Sequence, residues 1–190
     1  KLMRVYGADI VFTQGGESDV DLALEKLDEI RKTNPAKYFV PAQFENPYNI
    51  EAHYLTTGPE IWDQMGGALD IFVTTQGTGG MVTGIGRYLR ERDPKVKIFA
   101  SEPAECPLLA HRAWGPHKIE GIGDGFVPRN LHLDVLTGIV TVSSDEAIEM
   151  GRRIPAEEGI FCGISSAANV VAALKLARHY PNAKSIVTII

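Results

Sequence analysis

The feature that most constrains the fold is the alternation of short β-branched runs with segments of helical periodicity. Runs of this kind occur at residues 71–73, 96–100, 139–142 and 186–190, and helical patterns of about ten to fifteen residues follow most of them. Strands that alternate with helices form βα units, whose strands lie parallel and whose sheet is covered on both faces. The sequence therefore predicts a three-layer α/β/α fold with an open, mostly parallel, twisted sheet.

Local signals predict the remaining elements. Helices are expected from residue 20 to Asn34 and over 50–65, 82–92, 145–157 and 165–179, with residues 1–7 as the end of another. Ser18 with Asp21 and Ser144 are the expected helix caps. Short strands are expected at 9–13 and 38–40. The stretch 102–133 is expected to be mostly loop, with one helical turn near Leu108.

Composition excludes several classes of function. The net charge of −5 argues against nucleic acid as a partner, because neutralising phosphates requires clustered lysine and arginine. No apolar run approaches the roughly eighteen residues needed to span a bilayer. Two cysteines are too few for a disulfide framework, and no signal segment is visible. These features predict a protein of the reducing cytoplasm, without a membrane partner.

The two ends of the sequence carry a further expectation. The chain begins within a helical pattern that Gly7 closes, and it stops within the apolar run Ser185–Ile190. Natural chains rarely start and stop inside packed elements, so the sequence is expected to be a piece of a longer protein.

The most informative motif is Gly77-Thr-Gly-Gly80, between a predicted strand and a predicted helix. At the carboxyl end of a parallel strand, glycines let the backbone approach an anion, and the free amides of the helix point at it. A phosphate is the expected ligand, and a ligand-free turn is the alternative. The P-loop and dinucleotide patterns both fail, because Ile85, Val82 and Phe126 occupy the positions that need Lys or Gly.

Five ordered segments, spread over essentially the whole chain, resemble the cysteine synthase (O-acetylserine sulfhydrylase) group of pyridoxal-phosphate enzymes, which are tryptophan synthase β-like and of fold type II. They are Gln43–Asn49 with 52–53 and Thr56–Trp62, Thr75–Gly80, Glu102-Pro103, His117–Pro128, and Glu157–Ser166. The resemblance implies a large cofactor-binding domain over 42–190, incomplete at its C-terminus. It also implies that residues 1–41 are the remnant of a small N-terminal domain.

The resemblance implies which residues bind pyridoxal 5′-phosphate. The backbone and hydroxyl groups of Gly77, Thr78, Gly79 and Gly80, with the amide of Met81, are implied to bind the phosphate, and Ser165 to face the pyridine nitrogen. A hydroxyl there leaves that nitrogen unprotonated, which suits elimination better than transamination. Taken without the resemblance, Ser165 is more typical of an ordinary helix cap.

Two further residues are implied to contact substrate. Gln43 is implied to hold the substrate carboxylate, and Gly121 to line the pocket. By its residues alone, Gln43 would more often be a loop hydrogen-bonder. The five histidines show no metal-ligand spacing and are interpreted as structural or exposed.

The sequence departs from the family pattern at three positions. Met81 stands where the family usually has Thr or Ser, Asp124 where Ala is more frequent, and Ala167 where Gly is usual. The loss of one hydroxyl at Met81 is expected to weaken cofactor binding without abolishing it. Asp124 is expected either to alter pocket closure or substrate binding, or to be a solvated loop residue.

The family requires a lysine that forms a Schiff base with the cofactor and moves the substrate α-proton. None of the lysines, at 1, 26, 32, 37, 95, 97, 118, 175 and 184, lies in the family's lysine motif, which falls upstream of the point matching Lys1. The 190-residue piece is therefore expected to contain no catalytic lysine and to be inactive alone.

The resemblance implies that the parent protein converts O-acetylserine and sulfide to cysteine and acetate through an aminoacrylate. It implies a homodimer as well, and the C-terminal tail of serine acetyltransferase as a possible partner. The alternatives are a cystathionine β-synthase-like enzyme acting on serine, and a non-catalytic module that binds a phosphate or a peptide.

Overall fold

A computed structural model of the protein describes residues 1–14 and 20–190. The chain forms two compact units, Lys1–Val40 and Pro41–Ile190. The expected cap at Ser18 lies outside the described residues. None of the described helices is long and apolar enough to cross a membrane.

The described residues of the first unit form two helices, α1 (Leu2–Val5) and α2 (Val20–Thr33). Gly7 follows α1 with a φ of 81°, a left-handed conformation that glycine adopts without strain. The strands predicted at 9–13 and 38–40 are wrong, since both segments are irregular. An apolar run becomes a strand only when a neighbouring strand completes its hydrogen bonds, and neither segment pairs with one.

The second unit is built on a four-stranded sheet. Its strands are β1 (Ile71–Thr75), β2 (Lys97–Pro103), β3 (Gly138–Val142) and β4 (Ile186–Val187). The strands are parallel throughout, in the order β3-β2-β1-β4, which confirms the predicted parallel sheet. Strand β4 is shorter than predicted: it pairs with β1 over two residues, whereas β2 pairs with β1 over 71–75.

Six helices of this unit surround the sheet. They are α3 (Pro47–Ala52), α4 (Gly58–Gln64), α5 (Gly80–Arg92), α6 (Leu108–His111), α7 (Ser144–Glu158) and α8 (Ile164–His179). A π-helical turn over His53–Thr57 separates α3 from α4, so the single helix predicted over 50–65 is wrong in detail. A 3₁₀ turn over Leu133–Val135 precedes β3.

The start of α7 corrects the predicted cap. Ser143, not Ser144, caps this helix, and it forms a reciprocal capping box with Glu146. The Ser144 hydroxyl instead accepts a hydrogen bond from the Lys118 amide at 2.9 Å. The loop that contains Lys118 therefore occupies the Ser144 hydroxyl, which the local sequence predicted to cap the helix.

Two apolar cores cover the two faces of the sheet. Because side chains alternate along a strand, Ile71 and Val73 face one core and Phe72 faces the other. Helices α7 and α8 pack on the first face, and α4 and α5 pack on the second. This is the predicted arrangement of helices on both faces of the sheet.

Candidate cofactor site

A cleft of about 270 Å³ opens at the carboxyl end of β1, between the starts of α5 and α8. It brings together six of the residues predicted from sequence, namely Gly77, Thr78, Gly79, Met81, Gly121 and Ser165. Its other lining residues are His53, Thr74, Thr75, Val82, Ile122, Ser166, Asn169 and Ile189. Residues far apart in sequence thus share one concave surface, at the edge where α/β proteins bind ligands.

The glycine loop leaves the start of α5 open to a ligand. Gly79 is the N-cap, in a left-handed conformation with a φ of 78°, and no side chain caps the helix. A β-carbon on Gly79 would come within 2.6 Å of the Leu131 β-carbon, and one on Gly80 would overlap the Asn49 amide. The loop therefore requires glycine at both positions, and the first amides of α5 are available to an anion.

The hydroxyl of Thr78 is oriented by two donors. It accepts hydrogen bonds from Asn49 Nδ2 at 3.0 Å and, more weakly, from the Gly80 amide at 3.4 Å. Since both lone pairs are engaged, the hydroxyl hydrogen is free to be donated to a ligand in the cleft. Sequence reasoning missed this role of Asn49, although the residue ends the Gln43–Asn49 segment.

Ser165 lies in the first turn of α8 and lines the cleft together with Ser166. The N-cap of α8 is Gly163, without a side-chain cap, so the interpretation of Ser165 as an ordinary cap is wrong. The hydroxyl of Ser165 is not used to terminate the helix. Ala167, one of the departures from the family, is fully buried near Gly151 of α7.

Gly121 joins the cleft from the opposite loop. It has a φ of 87°, and its carbonyl oxygen would lie 2.8 Å from a β-carbon on Gly77, so the two loops touch through their glycines. Gln43 is exposed and lies outside the cleft lining. Gly80, which is buried, is also not among the lining residues. The Gln43 carbonyl accepts hydrogen bonds from the side-chain amides of Asn49 and Asn130, at 2.8 and 2.9 Å.

His53 contributes an imidazole to the cleft, where the sequence predicted a structural or exposed histidine. Burial lowers the pKa of His53, which favours its neutral form. Its Nδ1 lies 3.0 Å from the Thr57 hydroxyl. The neutral ring therefore presents a hydrogen-bonding group without a charge.

The loop beyond Gly121 is held by His117. The ring of His117 accepts a hydrogen bond from the Ile119 amide at Nδ1 and donates one from Nε2 to the Gly123 carbonyl, both at 3.2 Å. Asp124 in the same loop is half-buried, and burial raises the pKa of its carboxyl although His117 acts to lower it. Asp124 is thus not a fully solvated loop residue.

Met81 lines the cleft with a thioether where a hydroxyl was the family expectation. Its sulfur lies 3.8 Å from the hydroxyl of Thr74, a residue that also lines the cleft. No lysine is among the residues lining the cleft in the described part of the chain. Within residues 1–14 and 20–190, no cluster of three or more histidine, cysteine or acidic side chains could hold a metal ion.

The fold and the cleft together define a class: an α/β protein whose glycine loop and open helix start are suited to a phosphate-bearing ligand. Comparison with known proteins makes the class specific. Residues 1–190 match the family described as pyridoxal-phosphate dependent enzyme, and the chain belongs to that family. This confirms pyridoxal 5′-phosphate as the cofactor and fold type II as the fold.

Individual relatives agree over the full chain. A cysteine synthase of Staphylococcus aureus is 42% identical over 190 residues, which are 100% of this chain and 60% of that protein. The solved cysteine synthase of Entamoeba histolytica has a TM-score of 0.90 and 38% identity over 99% of this chain and 55% of its own. A hydrogen sulfide-producing enzyme of Fusobacterium nucleatum has a TM-score of 0.91 and 39% identity, over 98% of this chain and 57% of its own. The chain thus spans less than two thirds of the length of each.

The residues present fit the cofactor. At 79 and 80 the loop packs so closely on Leu131 and Asn49 that only glycine fits, and the uncapped helix start and the Thr78 hydroxyl provide donors suited to a phosphate. The Ser165 hydroxyl, at the start of α8, is a neutral partner for a ring atom.

Proposed function

We propose that this chain is the cofactor-binding part of a cysteine synthase, which makes cysteine and acetate from O-acetylserine and sulfide. The observation that carries the proposal is the single cleft that joins the uncapped start of α5 to the Ser165 hydroxyl. The 42% identity to a cysteine synthase along the whole chain supports the same activity.

In this proposal the residues around the cleft bind different parts of the cofactor. The amides of Gly77 to Met81 and the Thr78 hydroxyl bind the phosphate, and Ser165 faces the pyridine nitrogen. The cofactor, when bound, supplies an electron sink for β-elimination and β-replacement. The neutral Ser165 hydroxyl moderates that sink, because it leaves the nitrogen without a proton.

Gln43 and Gly121 are the proposed substrate contacts. The Gln43 carbonyl is held by Asn49 and Asn130, which supports a fixed main chain from which the exposed side chain reaches the substrate carboxylate. Gly121 offers backbone groups at the other side of the cleft. The neutral imidazole of His53 adds a polar group beside them.

The proposal extends to the organisation of the protein. Residues 1–41 are proposed as the remnant of the small domain and 42–190 as the large domain. The parent protein is proposed to be a cytoplasmic homodimer that can bind the C-terminal tail of serine acetyltransferase in its active site. Each of these statements rests on the likeness to cysteine synthases.

Turnover by the full-length protein tests the activity. Loaded with pyridoxal phosphate, it should form cysteine from O-acetylserine and sulfide faster than it forms cystathionine from serine and homocysteine. A higher rate with serine would favour the cystathionine β-synthase-like alternative. Sulfide release from cysteine, measured in parallel, tests whether the protein resembles the hydrogen sulfide-producing relative more closely. No turnover with any of these substrates would favour the binding module.

The proposed absence of a catalytic lysine has its own test. The 190-residue chain should bind the cofactor without a covalent bond, because no lysine lines its cleft. Borohydride should then trap no cofactor on any of its lysines, and cysteine formation should be lower by at least the 10²–10⁴-fold typical of general base catalysis. A trapped lysine, or turnover close to that of the full-length protein, would contradict this proposal.

A further inference from the structure

The floor of the cleft lies where β1 and β4 part. The two strands pair only at Ile71 with Ile186 and Phe72 with Val187. Beyond that point side chains take over the hydrogen bonds: the Thr188 hydroxyl donates to the Val73 carbonyl at 2.7 Å, and the Thr75 amide donates to Asn169 Oδ1. The backbones therefore separate without leaving these groups unpaired.

Asn169 completes this replacement with a second bond. Its Nδ2 donates to the Ile189 carbonyl at 2.8 Å, and the residue is only 4% exposed. The side-chain amide of Asn169 thus connects the end of β1 with the segment after β4. Its Oδ1 accepts from the Thr75 amide, and its Nδ2 donates to the Ile189 carbonyl. Residues Thr75, Asn169 and Ile189 all line the cleft.

The position of Asn169 connects both ends of the proposed cofactor site. Thr75 lies two residues before Gly77, where the phosphate loop begins, and Asn169 lies one helical turn after Ser165 on α8. Residues four apart lie on the same face of a helix, so the two side chains point toward the same cleft. A change at Asn169 would therefore alter the spacing between the phosphate loop and Ser165.

We propose that Asn169 is a positioning residue that sets the separation between the phosphate loop and Ser165. It contacts neither end of the cofactor in this role, and it acts through the Thr75 amide and through α8. The inference rests on the proposed placement of the phosphate at Gly77–Met81 and of the ring at Ser165. It predicts that Asn169 matters to a ligand that reaches both ends and not to one that reaches only the loop.

Two probes separate these cases. Pyridoxine 5′-phosphate carries the same phosphate on the same ring but has no aldehyde, so it binds without reacting with lysines. Inorganic phosphate reaches the loop alone. Both are titrated into the wild-type protein and Asn169→Ala, and binding is followed through the backbone amide NMR signals of Gly77 to Met81. A urea unfolding curve shows that each variant is folded.

For Asn169→Ala we expect pyridoxine phosphate to bind about tenfold more weakly, or 1.4 kcal/mol. Inorganic phosphate should bind within about twofold of wild type, because its donors are all in the loop. Equal losses for the two probes, or no loss for either, would overturn the inference. If the wild-type protein binds neither probe, the proposed cofactor site itself fails, which is a distinguishable result.

Two further variants distinguish a positioning role of Asn169 from a general loss of structure. Thr188→Val removes the neighbouring side-chain bond to the Val73 carbonyl but lies outside the cleft lining, so it should lower stability without changing the ratio of the two affinities. Asn169→Asp keeps the acceptor and loses the donor, and protonation of its carboxyl at low pH restores that donor. Its affinity ratio should therefore approach that of wild type as the pH falls. A positioning role would be contradicted if Thr188→Val changed the ratio of the two affinities as much as Asn169→Ala does. It would also be contradicted if the ratio for Asn169→Asp did not recover at low pH.

Discussion

The starts of α5 and α7 differ in how their unpaired backbone amides are satisfied. Every helix begins with amides that have no partner within the helix. At α7 the Ser143 hydroxyl accepts from the Glu146 amide at 3.3 Å, and the Glu146 carboxylate accepts from the Ser143 amide at 2.8 Å. At α5 the cap is Gly79, no side chain caps the helix, and the first turn contains no acidic residue.

The difference shows what each helix start is for. The capping box of α7 satisfies its own amides and places a carboxylate at the positive end of the helix dipole, which stabilises the helix. Helix α5 lacks both features and faces a cleft. Apart from the weak bond from the Gly80 amide to the Thr78 hydroxyl, its first amides and its dipole therefore remain available to an anion. Helix α8, which carries Ser165, also begins without a side-chain cap. The two helix starts that face the cleft, those of α5 and α8, thus lack a side-chain cap, whereas the start of α7 lies outside the cleft lining and is capped on both sides.

The largest predicted effect comes from Gly80→Ala, which would distort the glycine loop at the start of α5. Its methyl group would overlap the Asn49 amide, so the loop must shift and the orientation of Thr78 is lost with it. We expect pyridoxine phosphate binding to fall by more than about a hundredfold and stability by about 1–3 kcal/mol. Isothermal titration and urea unfolding measure the two effects.

Gly163→Ala is the matched control for that change. Gly163 caps α8 with a φ of −76°, and a β-carbon there would meet nothing within 4 Å. The Gly163→Ala substitution should change neither the affinity for pyridoxine phosphate nor the stability appreciably. Wild-type affinity in Gly80→Ala would show that the start of α5 is not the anion site.

Thr78→Val tests the side-chain donor beside the free amides. Valine has nearly the same shape but no hydroxyl, so one hydrogen bond to a charged phosphate is lost, a change of about 1.5–3 kcal/mol. We expect affinity for inorganic phosphate to fall roughly ten- to a hundredfold. Thr141→Val, on β3 and outside the cleft lining, should bind phosphate as the wild type does. Equal affinities in the two variants would argue against a phosphate contact at Thr78.

Ser143→Ala should produce the complementary result at α7. Loss of a serine cap typically costs about 1 kcal/mol of stability. Because this helix start is closed by its own side chains, phosphate affinity should stay within about twofold of wild type. Unfolding in urea and phosphate titration of the same preparation provide both values. A loss of binding that matches the loss of stability would remove the distinction between the two helix starts.

The smallest predicted effect is a pH dependence confined to α7. Burial acts to raise the pKa of Glu146, but hydrogen bonds from Lys175 and Ser143 outweigh it, and the pKa lies below the usual 4.5. A lowered carboxyl pKa contributes stability that is full above pH 4.5 and is lost as the pH falls through the folded-state pKa. Urea midpoints measured between about pH 6 and pH 3 should therefore fall less steeply in Glu146→Gln, which retains a capping side chain. Parallel curves for the two proteins would show that Glu146 does not contribute in this way.

Much of this architecture is determined by the sequence alone. The β-branched runs at 71–73, 96–100 and 139–142 predicted the main strands, and the motif Gly77–Gly80 predicted where the ligand site begins. Both signals are local, since strand patterning and the conformational freedom of glycine act within a few residues. The resemblance to pyridoxal-phosphate enzymes also rested on short segments, and it led to the family that the whole chain matches.

Long-range contacts decided what the sequence could not. Ser143 rather than Ser144 became the cap of α7 because Lys118, from a separate loop, uses the Ser144 hydroxyl. The roles of Asn49 and Asn169 depend on partners 29 and 94 residues away, at Thr78 and Thr75. A polar side chain selects its partner from whatever the folded chain places within hydrogen-bonding distance. The sequence therefore determined the strands of the sheet, most helices and the glycine loop of this protein, while only its tertiary structure decided which side chains orient the cleft.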